Sequence, residues 1–139
     1  MDKSNWIGLG VAAAVLLFVF FNADGEKNTV VDDLMQSTMA IHDEAMKEMA
    51  GMNRYGRMLK SEITGLDSLS GRADSIRTVL RQIKLAEEGM YTWMSEYKAP
   101  TKLSEDAASA YLEDQKQKIS KNQQDIQAAT QAARLLIER

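Results

Sequence analysis

Residues 104–137 read SEDAASAYLEDQKQKISKNQQDIQAATQAARLLI, and the placement of their apolar positions decides the fold. Ala108, Leu112, Gln115, Ile119, Asn122, Ile126, Ala129, Ala133 and Leu136 recur at alternating steps of four and three. That is a heptad seam, and it holds for about four repeats. Ser104 stands as a candidate N-cap, with Glu105 and Asp106 behind it in the turn that favours acidic side chains. Gln115 and Asn122 on the stripe are costly in a core, so they are expected to fix register or to face a partner chain.

Working outward, the Ala99-Pro100-Thr101 break separates this helix from a second one, predicted over residues 68–98 after an Asp67 cap. Leu69, Ile76, Leu80, Ile83, Met90, Trp93 and Tyr97 share one of its faces. A first helix is predicted over residues 30–61, with Thr29 as N-cap and Gly65 as C-terminal cap. Its stripe is Val31, Met35, Met39, His42, Met46 and Met49, flanked by Leu34, Ile41, Ala45 and Met52. Gly51 and Gly56 inside it each weaken the helix by up to ~1 kcal/mol and mark a possible bend. Three such segments with short connections predict an up-down-up antiparallel bundle or coiled coil, about 45 Å long.

Upstream of the helices, residues 6–21 read WIGLGVAAAVLLFVFF without a charge. At 1.5 Å per residue they span roughly 24 Å, a little short of the ~30 Å hydrocarbon core of a bilayer, and flanking Asn5, Asn22 and Ala23 extend them. Apolar side chains all round, among them Trp6, Leu9, Val15, Leu16, Leu17, Phe18, Phe20 and Phe21, suit lipid rather than a small soluble core. Phe21-Asn22-Ala23 matches a cleavage site poorly, and a lipoprotein signal would need a cysteine that the chain lacks. An uncleaved signal-anchor remains. Lys3 precedes the run, while Asp24, Glu26, Asp32 and Asp33 follow it with only Lys27 opposing. The positive-inside tendency then places the N-terminus in the cytoplasm and the body in the periplasm. The expected organisation is an all-α chain: a transmembrane anchor over 1–23, a linker over 24–29 and a three-helix domain over 30–139.

Composition excludes most chemistry. The chain has 139 residues, formal net charge −3, no cysteine, one histidine and nine methionines. Without cysteine there are no disulfides, thiolate zinc sites, iron–sulfur clusters or thiol nucleophile. One histidine cannot supply the paired Glu-x-x-His ligands of a di-iron bundle. No GxGxxG or GKS/T string offers a phosphate cradle. Asp43, Glu44 and Glu48 spread over a solvated face, so no catalytic constellation, cofactor or small-molecule substrate is expected. Arg72, Arg77, Arg81 and Lys84 form the best basic run. In an acidic chain they predict a solvated helix face rather than a nucleic-acid surface.

One cluster stands out. Six methionines lie between residues 35 and 58, and Met90 and Met94 flank Trp93. Folding the first two helices about residues 64–65 sets Met35 near Met94, Met39 near Met90, and His42 near Ala86 and Glu87. The same operation about Pro100 brings Tyr111 and Leu112 to that level. Methionine commonly fills irregular cores and touches aromatic edges. Alternatively, Met39, His42, Met46, Met90 and Met94, with Trp93 nearby, would suit a soft metal such as Cu(I). A Met-lined groove for an apolar or peptide partner is a third reading.

The strings IHDEAMKEMAGM at 41–52, Met58-Leu59, MYTWMSEY at 90–97 and AYLEDQKQKI at 110–119 resemble small Gram-negative envelope proteins. These are helical, usually lipoproteins, and carry the label "viral A-type inclusion protein". The likeness covers most of residues 35–137 and implies a short tethered helical domain with no established activity. Those relatives have a lipobox cysteine; here a spanning helix in the inner membrane replaces it, with outer-membrane association as the alternative. The expected function is a non-enzymatic, membrane-anchored scaffold or accessory subunit of an envelope complex. Its partner would be another protein or a second copy, met through the third-helix seam of Leu112, Ile119, Asn122, Ile126 and Leu136. The alternatives are periplasmic Cu(I) binding or sensing, and a coiled-coil component of a phage or secretion system.

Overall fold

The computed structural model describes residues 29–139. They form three helices: α1 (Thr29–Ile63), α2 (Gly71–Glu96) and α3 (Glu105–Ile137), with no strand among the described residues. The apolar run 6–21 and its anchor residues lie outside them. Among the described residues, no helix is long and apolar enough to cross a membrane.

Each helix boundary follows from local chemistry. α1 carries Asp32 in its first turn and Lys60 in its last, both favourable to the helix dipole. It runs unbroken through Gly51 and Gly56 and ends two residues later than its pattern suggested. The Thr64 hydroxyl donates to the Ser61 carbonyl at 2.7 Å, and the Gly65 N–H donates to Glu62 at 3.1 Å. No described residue, glycine included, has a positive φ, so Gly65 closes a tight turn rather than a left-handed cap.

α2 starts later than expected because Ser70, not Asp67, is its cap. The Ser70 hydroxyl accepts the Ala73 N–H at 3.2 Å. Asp67 instead accepts the Leu69 N–H at 3.0 Å within the loop, and Leu69 leaves the apolar stripe to stand 89% exposed. α3 begins after Ser104 as expected, although the serine side chain makes no capping bond.

The chain closes as a three-helix bundle in which α1 and α3 run parallel and α2 runs against both. Glu48 on α1 accepts from Gln123 at 3.4 Å and from Gln127 at 3.0 Å on α3. Asn53 donates to Glu87 on α2 at 3.2 Å, and Asn122 donates to the Gly89 carbonyl at 3.1 Å. At the far end Arg72 joins all three helices, donating to Glu62 and to the Leu136 carbonyl, each at 2.7 Å.

The core lies along the shared seams. On α3, Ala108, Leu112, Gln115, Ile119, Ile126, Ala129 and Ala133 are buried, the positions that the heptad pattern marks. They are covered by α1 and α2 of the same chain. Asn122 finds a partner there too: its side-chain amide donates to the Gly89 carbonyl on α2. On α1 the buried line is Thr38, Ala45, Met49, Met52, Gly56 and Leu59. Met39 and Met46 sit beside this line and are only partly buried, a correction to the expected stripe. Thr38 enters the core because its hydroxyl donates to the Leu34 carbonyl at 2.7 Å, which removes the cost of burying it.

Candidate functional site

At the end of the bundle where α1 begins, four rings stack in a ladder across three helices. His42 on α1 lies 5.5 Å from Trp93 on α2 at 29°, and Trp93 lies 4.9 Å from Tyr97 at 26°. Tyr97 lies 6.3 Å from Tyr111 on α3. The tyrosine hydroxyl of Tyr111 accepts the Lys98 N–H at 3.0 Å, which ties the α2–α3 turn to the ladder. Tyr97 is the C-cap of α2, one turn after Trp93, so their stacking is a consequence of helical spacing.

Two polar atoms in this ladder have no partner. The Trp93 indole N–H and the Tyr97 hydroxyl are buried without a hydrogen bond. Each buried donor left without a partner costs about 1–3 kcal/mol, which the stacking and burial of the rings must offset. Burial, and after it the neighbouring Tyr111, pushes the Tyr97 phenol up to about 12.

The register differs from the one expected. His42 meets Trp93 rather than Ala86 and Glu87, and Glu87 pairs with Asn53 instead. The cause is the loop. With α1 extending to Ile63 and α2 opening at Gly71, the reversal centres on Asp67 rather than on residues 64–65. That slides the pairing along α2 by nearly two turns.

The five methionine and histidine positions therefore separate into two groups. Met90 is wholly buried in the core. Met39, Met46 and Met94 are partly buried at its margin, and His42 keeps 12% of its side chain exposed. The His42 Nδ1 lies 3.0 Å from the Asp43 carboxylate. A carboxylate only accepts, so Nδ1 carries the proton and, in the neutral ring, Nε2 keeps the lone pair. Among the described residues, no group of three or more His, Asp or Glu side chains could hold a metal ion.

Two open grooves run along the α1–α3 junction, one beside Leu34, Lys116 and Lys121, the other beside Glu48, Tyr55 and Gln131. Neither touches the ladder. Helical spacing sets Tyr97 on the face of Met90 and Trp93, and the fold about Pro100 brings Tyr111 to the cluster's level; neither reveals the ring stacking or the Asn53–Glu87 pair. The Trp93-to-Tyr97 spacing was the available signal for the first. No family model, curated protein or solved structure matches this chain.

Proposed function

We propose that this chain is a membrane-anchored helical scaffold or accessory subunit of an envelope complex, with residues 6–21 as the anchor and the bundle in the periplasm. One observation carries the reading: the bundle is a rod with two different ends. α1, 35 residues and thus about 52 Å long, starts directly after the linker, so a tether would attach at the ladder end. The opposite end holds the α1–α2 loop and the C-terminus of α3. Met58 (46% exposed), Leu69 and Leu135 (44%) present apolar surface around that end; Val30 (55%), Tyr91 (53%) and Leu103 (49%) do so at the ladder end, which would face the membrane in this reading.

This end is the proposed contact with a protein partner, because the α3 seam is already covered within the chain. The test is crosslinking in intact membranes followed by affinity purification from detergent, comparing the native chain with a Met58→Ser, Leu69→Ser, Leu135→Ser variant. A companion protein lost in the variant supports the scaffold reading. A strictly monomeric chain with no companion sinks it. The identity of the companion separates an envelope complex from a phage or secretion-system assembly.

A further inference from the structure

We propose that His42, Met46 and Met94 form a site for a soft monovalent cation, Cu(I) or its analogue Ag(I), on the α1–α2 edge of the bundle. The Asn53–Glu87 hydrogen bond shows which edge of α1 faces α2. Residues seven apart share an edge in heptad packing, so Met46 and Met39 lie on the edge of Asn53, and Met94 lies on that of Glu87. In an antiparallel pair, seven residues back on α1 correspond to seven forward on α2. The pairing that joins Asn53 to Glu87 therefore sets Met46 against Met94. His42 belongs to the same level, since its ring stacks on Trp93, the residue before Met94.

The donor set has one chemical character. Two thioethers and a neutral imidazole are soft or borderline ligands, suited to Cu(I) and unsuited to calcium or magnesium. The Asp43 carboxylate takes Nδ1 and leaves Nε2 for a metal, the carboxylate–imidazole arrangement that orients a ligand histidine. Met39, one turn before His42, can contribute a further sulfur. Met90 stays in the core as packing. The partial exposure of Met46 and Met94 leaves the site open to exchange.

The site is tested on the full-length chain in detergent, kept anaerobic and reduced, by competing Cu(I) between the protein and a chromogenic chelator. One Cu(I) per chain is expected. Met46→Leu and Met94→Leu preserve side-chain volume and should each weaken binding tenfold or more, while Met58→Leu at the far end leaves it unchanged. Asp43→Asn should weaken it about tenfold, the lower range for loss of an outer-shell partner. In the unmodified chain labelled at its methionine methyls, the Met46 and Met94 resonances should shift with one equivalent of Cu(I). Because that measurement needs no substitution, it decides even where a variant fails to fold. Unmoved Met46 and Met94 methyls at saturation, or equal affinity in all variants, overturn the site.

Discussion

Ile126 offers the sharpest quantitative test of the packing. It is wholly buried in the middle of the α3 seam, whereas Leu135 on the same helix is 44% exposed. Ile126→Ala removes three buried carbons, at ~0.8 kcal/mol each, and leaves a cavity that the two facing helices cannot fully close. The expected loss is about 3 kcal/mol, within the range of roughly 2–5 kcal/mol for such truncations. For a body of about 110 residues the unfolding entropy is roughly 0.23 kcal/mol/K, so the midpoint should fall by about 13 °C. Leu135→Ala removes side-chain carbons that are half in water and substitutes a better helix former, so its midpoint should move by roughly 2 °C or less. Thermal melts of the full chain in mild detergent, followed by circular dichroism, measure both. Equal shifts, or an Ile126→Ala shift of only a few degrees, would refute burial of this seam within the chain.

Other consequences are equally direct. A Cβ at Gly51 would meet nothing within 4 Å, so Gly51→Ala should stabilise the bundle by about 0.5–1 kcal/mol through helix propensity. At Gly89 a Cβ would sit 3.0 Å from the Asn122 Oδ1, and Gly89→Ala should gain little or lose stability. An equal gain in both would contradict that contact. Arg72 joins Glu62 to the end of α3, so Arg72→Ala should speed amide exchange in the last turns of α1 and α3 while α2 stays protected. Uniform exchange along all helices would show that the tie is not local. Tyr97 keeps its proton to about 12 in the fold against 10.0 for a free phenol, so the stability it supports is full below pH 10 and lost as pH rises through 12. Tyrosinate absorbance should show one late-titrating phenol that Tyr97→Phe removes; an unchanged titration would place the burial elsewhere.

The α3 seam was readable because its apolar and small residues keep strict heptad phase and Pro100 marks its start. The apolar pattern of α1 points one position away from its buried line. Thr38 and Gly56 do not look like core residues, yet they hold the buried line. Met39 and Met46 look like core residues and occupy its margin. Hydrophobicity alone could not resolve this, since a threonine bonded to its own helix is apolar in effect. The concentration of methionine around the single histidine was visible from spacing, but the facing pairs depend on register. Register in turn depends on whether Asp67 or Ser70 caps α2, two residues of nearly equal capping preference.

The most direct test of the architecture uses the absence of cysteine from the chain, which makes introduced pairs unambiguous. Glu48 and Gln127 are hydrogen-bonded between the parallel helices α1 and α3. Ala110 lies about 25 Å from Gln127 along α3, at 1.5 Å per residue. With Glu48→Cys and Gln127→Cys together, a short bis-maleimide should bridge the two sites within one chain, at the mass of a monomer. Glu48→Cys with Ala110→Cys should not bridge. Bridging only between two chains, or equal bridging in both variants, would contradict a bundle closed within a single chain.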